Sequence, residues 1–261
     1  DLTGKISGAD TLKDLIFKNG ISEAKTYAST NPGNLSVDDI EYLPLIPNPG
    51  KIICVGLNYS EHVKETNRTV EENPVIFHRF PESQTAHKQP IQRPVASHSL
   101  DFEGEIALII GRAGRRIKPA DAMSHVAGFS IYNDGSVRDY QRQTSQFTPG
   151  KNFASTGGFG PWMMTVDEIG DLDAMEITTR LNGEVMQNAT SDLLVHGFAE
   201  ILEYCSTFVE LQPGDVLVTG TPGGVGAARK PPVFMDEGDL IEVEVKPIGT
   251  LSNPVVAEVA S

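Results

Sequence analysis

The chain has 261 residues, 39% hydrophobic and 21% charged, which allows one large domain with at most a small appendage. Its formal net charge of −14 would repel a phosphate backbone, so nucleic acid is excluded as an expected partner. No apolar run approaches the roughly 20 residues needed to cross a bilayer, so no membrane partner is expected either.

The first 48 residues form a small N-terminal segment and linker. A helical pattern runs over 11–18, polar and loop-forming residues follow through Asn31-Pro32-Gly33, and the stretch Leu43-Pro-Leu-Ile-Pro-Asn-Pro-Gly50 reads as a linker. A second unit, 49–261, is dominated by strands. Apolar runs predict strands over 51–55, 74–79, 105–111 and 127–132. Residues 175–181 and 184–187 flank Asn182-Gly183, a strong hairpin signal because both turn residues tolerate positive φ. Late strands are predicted over 215–220 and 239–246. Helical patterns are fewer: 59–66, 119–125, 137–144 and 198–208. Many strands, scattered helices and 25 glycines predict a strand-rich α+β fold without alternating βαβ units. Cys54, in an apolar run, and Cys205, in the last helical pattern, read as buried free thiols in a reducing compartment. A cytoplasmic setting is expected. The sequence begins with Asp1 rather than Met, which leaves organellar targeting open.

Three stretches could carry chemistry. In Asp101-Phe-Glu103-Gly-Glu105, a strand period would place all three carboxylates on one face, beside the core run Ile106-Ala-Leu-Ile-Ile110. Their mutual repulsion is relieved by a hard divalent cation; the plainer reading is a solvated strand end. Asp134, in Asn133-Asp134-Gly, follows an apolar strand and suits a third ligand, although Asn-Asp-Gly is also a good turn. His62 and Glu65 share a helix face, where a carboxylate fixes the tautomer of an imidazole and suits it to general-base work. A lone His-x-x-Glu is more commonly a surface pair. Lys151 would stabilise an oxyanion or be a solvated lysine. The loop Thr219-Gly-Thr221-Pro-Gly-Gly-Val-Gly226 offers backbone amides to a carboxylate or phosphate, but it lacks the nucleotide-binding patterns.

Each element is weak alone. In this order, Val55-Gly-Leu-Asn-Tyr-Ser-Glu-His62-Val-Lys-Glu65, Asp101-Phe-Glu-Gly-Glu105, Asn133-Asp134-Gly-Ser-Val-Arg138-Asp139, Lys151 and Leu217-Val-Thr-Gly-Thr221-Pro-Gly-Gly-Val-Gly226 resemble the fumarylacetoacetate hydrolase family over roughly residues 50 to 260. The resemblance implies a rolled, mixed β-sheet core, usually in a homodimer. It implies Mg²⁺ or Mn²⁺, with Ca²⁺ as a substitute, held by Glu103, Glu105 and Asp134. It implies His62 and Glu65 as a water-activating pair on a mobile lid. Lys151 and Gln141 resemble groups that polarise substrate oxygens, and Thr221 resembles a contact to a substrate carboxylate. Smaller family members often carry Lys-Pro after the strand ending near Phe77, where this chain has His78-Arg79-Phe80-Pro81. Arg79 is therefore expected to bind a substrate carboxylate in its own way.

The activity expected is metal-dependent hydrolysis of a C–C bond in a 2,4-dioxo acid. His62 takes a proton from water, the hydroxide attacks the distal carbonyl, and a pyruvate-type enolate leaves while Lys151 counters its charge. Decarboxylation of oxaloacetate and isomerisation or hydration of an unsaturated 2-oxo diacid need the same enolate chemistry and stand as alternatives. A non-catalytic, metal-stabilised binding protein is the alternative from another class.

Overall fold

The computed structural model describes residues 1–33, 35–66 and 68–259. Two short helices come first, α1 (Leu12–Phe17) and α2 (Ile21–Thr30). Then follow β1 (Ile52–Gly56), α3 (Ser60–Glu65), β2 (Val75–Arg79), β3 (Gln84–Ala86), β4 (Ile91–Arg93), β5 (Leu100–Asp101) and β6 (Gly104–Ile110). The middle of the chain holds β7 (Val126–Asp134), β8 (Ser136–Val137), α4 (Arg138–Gln141), α5 (Thr148–Lys151), β9 (Gly157–Thr165) and α6 (Val166–Ile169). The last part holds β10 (Glu176–Leu181), β11 (Glu184–Thr190), α7 (Phe198–Phe208), β12 (Val216–Val218), β13 (Leu240–Lys246) and β14 (Gly249–Ala257).

The strands form a seven-stranded sheet in the order β2-β1-β12-β6-β7-β9-β3 and a five-stranded sheet in the order β11-β10-β13-β14-β4, with β5 and β8 paired separately. The pairs β1–β12, β3–β9 and β4–β14 are parallel and the other pairs antiparallel, a mixed, strand-rich α+β fold. β6 is buried on both faces. Ile106, Leu108 and Ile110 join Phe129, Val243, Val245 and α7 in the core between the sheets. Ala107 and Ile109 pack on the other face with Ile52, Val216, Ile16 and Ile46, so the N-terminal segment helps cover the seven-stranded sheet.

Local chemistry explains the elements that sequence patterns show. Thr11 and Asp14 form a capping box at the start of α1. Asn182 and Gly183, at φ 53° and 82°, close the β10–β11 hairpin as expected. The stretch 137–144, read as one helix, is helical only over α4, and 119–125 winds as a 3₁₀ helix. Several elements went unread, α2, β9 and β14 the longest of them. α2 buries none of its side chains, so it has no apolar stripe to read. β9 is masked by Gly157, Gly158, Gly160 and Pro161; a Cβ on Gly157 would come within 2.7 Å of both Arg79 and the Tyr132 hydroxyl. Cys54 and Cys205 are buried and free, as expected.

Candidate metal and active site

The antiparallel pairing of β6 with β7 builds the centre of the site. Gly104 lies opposite Asn133 and Glu105 opposite Tyr132, and the Asp134 amide donates to the Glu103 carbonyl at 2.8 Å. This register brings Glu103, at the entrance to β6, and Glu105, within it, to Asp134 at the end of β7. One carboxylate oxygen from each lies within 4.8 Å of the other two. All three side chains are buried.

Asp101 does not share their face. The strand is interrupted at Phe102 and Glu103, and Asp101 turns to accept the amides of Gly226 and Ala227 and the Nε of Arg138 at 2.7 Å. The expectation of three carboxylates along one strand face fails because the chain between 101 and 104 is not regular strand.

Three buried cations surround this centre. Lys151, at the end of α5, donates to Glu103 Oε2 at 2.6 Å and to Asp134 Oδ2 at 2.5 Å, and lies over the Phe77 ring. Arg138 bridges Asp101, Glu103 and the Gln141 side-chain oxygen. Arg79 donates to Asp134 Oδ1 at 2.6 Å, to the Gly135 carbonyl and to Thr156. Burial alone would raise the pKa of Glu103, but Lys151 and Arg138 together hold it well below the usual carboxylate range. Burial likewise opposes the charge on Lys151, yet Asp134 and Glu103 keep it protonated. Glu105 is different. Burial, then the charges of Asp134 and Glu103, push its pKa well up. Its bonded partner is the Gly220 amide, and among the described residues no lysine or arginine pairs with it.

Four carboxylates (Asp101, Glu103, Glu105, Asp134) thus meet three cations (Arg79, Arg138, Lys151). Three converging hard oxygen donors, one of them a buried glutamate without a cationic partner, fit a divalent cation that prefers oxygen, such as Mg²⁺, Mn²⁺ or Ca²⁺.

The centre opens into a cavity of 670 Å³, whose walls include His62, Glu65, Glu103, Glu105, Lys151 and Gln141. His62 is buried on α3, and its Nδ1 lies 2.7 Å from Glu65 Oε1. The other Glu65 oxygen accepts the Gly224 amide at 2.8 Å. With Nδ1 engaged, Nε2 is the nitrogen left for chemistry.

Two expected substrate contacts are placed differently. Arg79 does not line the cavity. Its side chain is fully buried behind Asp134, because that carboxylate and three further acceptors take its donors. Thr221 reaches the cavity, but its hydroxyl donates to the Gly104 carbonyl and accepts from Gln187, so its proton ties the loop to β6.

The glycine-rich loop after β12 also departs from expectation. Its amides hold the protein's own carboxylates: Gly220 on Glu105, Gly224 on Glu65, Gly226 and Ala227 on Asp101. Sequence reading gave no role to Arg138 or Asn58, although both lie in the quoted motifs. Buried Asn58 donates to the Thr219 and His196 carbonyls and accepts the His196 amide, which fixes the entry to α3.

A buried carboxylate triad that could hold a metal, a flanking lysine and a His–Glu pair around one cavity are the parts that metal-assisted acid–base chemistry needs. The model of the fumarylacetoacetate (FAA) hydrolase C-terminal domain matches residues 51–256, and the chain belongs to that family. It is 40% identical over 241 residues to the mitochondrial oxaloacetate tautomerase fahd2 of Xenopus laevis, covering 92% of this chain and 76% of the relative. It is 36% identical to the oxaloacetate tautomerase YisK of Bacillus subtilis, with 84% and 74% covered. Among solved structures, the fumarylacetoacetate hydrolase of the psychrophile Exiguobacterium antarcticum superimposes with a TM-score of 0.83 at 35% identity, over 99% of this chain and 91% of that one. Organellar and bacterial settings therefore both occur among the relatives.

Proposed function

We propose that this protein is a metal-dependent tautomerase of a small 2-oxo acid of the oxaloacetate type, transferring a proton between C3 and the C2 oxygen. The observation that carries this reading is the His62–Glu65 pair, held at 2.7 Å, in the same cavity as Lys151 and the three carboxylates. A bound Mg²⁺ or Mn²⁺ would act as a Lewis acid on the 2-oxo group and acidify the hydrogens on C3. Glu103, Glu105 and Asp134 would hold it. His62 Nε2 takes the C3 proton, and Glu65 stabilises the imidazolium. The Lys151 ammonium counters charge developing on the C2 oxygen, and the imidazolium returns the proton there. No water is consumed and no C–C bond breaks. The two relatives named as oxaloacetate tautomerases support the reading. A non-catalytic binding protein is the weaker reading, since both of these relatives are named for a reaction.

Hydrolysis of a 2,4-dioxo acid is the second reading. The same pair favours it, because an imidazole oriented by a carboxylate activates water equally well. The two are separated by following ultraviolet loss of the enol form of oxaloacetate with Mg²⁺ or Mn²⁺, and by analysing products from an acylpyruvate. Faster enol–keto exchange of oxaloacetate with its carbon skeleton intact is expected. Pyruvate release from the acylpyruvate, with oxaloacetate exchange at the uncatalysed rate, would replace the first reading with the second.

A further inference from the structure

The wall of the cavity carries positive charge that, among the described residues, no carboxylate pairs with. Arg229 lines it, at the end of the loop that also holds Glu105 and Glu65. Its Nε donates to the Gly224 carbonyl at 3.2 Å and its Nη2 to the Met186 carbonyl at 2.8 Å. Both acceptors are neutral, so they aim the guanidinium without discharging it. Arg142, Arg68 and Lys230 line the same cavity. Among the described residues, none of these four forms an ion pair with Asp or Glu, whereas Arg138 and Lys151, nearer the carboxylate centre, are each paired twice. In a chain of net charge −14, four unpaired cations around one cavity attract a small anion from solution.

We infer that Arg229, assisted by Arg142, is the subsite that takes the distal carboxylate of the oxaloacetate-type substrate and selects it over a 2-oxo monocarboxylate. The inference rests on the tautomerase reading only for the identity of the reacting end, which faces the carboxylate centre. A guanidinium fixed by two backbone carbonyls is already oriented, so ordering it on binding has little entropic cost. Among the described residues nothing accepts from its Nη1, whose donors match an oxygen anion. Arg142 has no side-chain hydrogen bond among the described residues and supplies charge rather than fixed geometry.

Two inert probes test this. Malate and 2-hydroxybutanoate of the same hand share the 2-hydroxy-acid end and differ only in a distal carboxylate against a methyl group; neither tautomerises. Calorimetric titration of Mg²⁺-loaded wild-type protein should show tighter binding of malate. Arg229→Gln should weaken malate about 10- to 100-fold, the range of a charge-assisted hydrogen bond, and leave 2-hydroxybutanoate unchanged. Arg142→Gln breaks no side-chain hydrogen bond or ion pair among the described residues and should weaken malate alone, by a smaller factor. Equal weakening of both probes by Arg229→Gln would mean that the residue merely braces the loop, and would overturn the subsite. So would a wild type that does not distinguish the probes, or malate binding that neither variant changes. If the variants weaken malate selectively while wild-type protein does not tautomerise oxaloacetate, the subsite stands and the proposed reaction falls.

Discussion

Arg79 donates through Nη1 to Oδ1 of Asp134 at 2.6 Å, and both side chains are excluded from solvent. The same guanidinium reaches the Gly135 carbonyl and Thr156, while its Nε donates to Ser83. The second Asp134 oxygen faces Lys151. The arginine therefore sets the direction of a candidate metal ligand from behind, as outer-shell partners do in metal sites.

Removing that support should be costly. Arg79→Met leaves Asp134 buried beside one cation instead of two, and losing one partner of a buried pair costs about 3–5 kcal/mol. Urea unfolding should report a loss of that order. Arg79→Lys keeps the charge but lacks the fork that spans Asp134, Gly135 and Thr156. It should fold and bind Mg²⁺ about 10- to 100-fold more weakly. A folded Arg79→Lys with wild-type Mg²⁺ affinity by calorimetry would show that the arginine does not position the ligand.

Glu105 gives the metal-free protein a distinct pH dependence. Its pKa is raised on folding, so its contribution to stability is present below the unfolded value, about 4.3, and is lost as pH climbs through the higher folded value. Metal-free wild type should therefore lose stability above the ordinary glutamate range. Glu105→Gln should lack that loss, and at neutral pH it should melt at or above the wild-type temperature. Mg²⁺ should raise the wild-type melting temperature and leave that of Glu105→Gln nearly unchanged. Thermal melts across pH, with and without Mg²⁺, check both statements. A stabilisation of Glu105→Gln by Mg²⁺ equal to that of wild type would remove Glu105 from the ligand set.

The legibility of this site in the sequence follows the range of its interactions. Glu103, Glu105, Asp134 and the His62–Glu65 pair sit in short motifs, and the structure brings them around one cavity. Asp101 was misplaced because strand periodicity was carried across residues 102 and 103, where the backbone leaves the strand. Arg79 was assigned to substrate because its partner lies 55 residues away, and nothing local marks it as buried. The glycine-rich loop showed its free amides but not their acceptors: Gly220 meets Glu105 across 115 residues and Gly224 meets Glu65 across 159. In the fold, patterning revealed most of the longer strands but missed β14 and β9, and the glycines of β9 make room for Arg79, Tyr132 and Asn253.

The loop's close approach makes a sharp prediction about two neighbouring glycines. A Cβ on Gly226 would stand 1.8 Å from the Val233 carbonyl oxygen and 2.7 Å from Asp101 Oδ1. The first is backbone, and the second cannot yield without disturbing the Asp101–Arg138 pair. Gly226→Ala should lose at least about 2 kcal/mol of stability, together with metal binding. A Cβ on Gly223 would meet Glu61 Cβ at 3.1 Å and, at ordinary contact distance, the Glu61 carbonyl carbon at 3.5 Å and the His62 amide nitrogen at 3.6 Å, so Gly223→Ala should stay within about 1 kcal/mol of wild type. Chemical denaturation of both variants is the check, and equal stabilities would contradict the packing described.

The final prediction concerns Glu65, which accepts from two sides. One oxygen takes His62 Nδ1 at 2.7 Å and the other takes the Gly224 amide at 2.8 Å. A carboxylate satisfies both because each of its oxygens accepts. The glutamine amide of Glu65→Gln has one acceptor and one donor end. If its oxygen keeps Gly224, its NH₂ faces Nδ1 and forces the proton onto Nε2, the tautomer that cannot act as a base toward the cavity. If its oxygen keeps His62, NH₂ meets the Gly224 N–H and the loop is pushed from α3. Either arrangement should lower kcat for oxaloacetate enol–keto exchange by about 10²–10⁴-fold, close to the loss expected for His62→Ala. Mg²⁺ affinity should remain within a few-fold of wild type in both variants, since neither residue belongs to the carboxylate triad. Glu65→Asp retains two acceptors on a shorter arm and should recover part of the rate. The comparison needs kcat for all three variants at saturating Mg²⁺, with calorimetric metal binding alongside. Wild-type kcat in Glu65→Gln would show that the tautomer of His62 does not govern the reaction and would remove the pair from its assigned role.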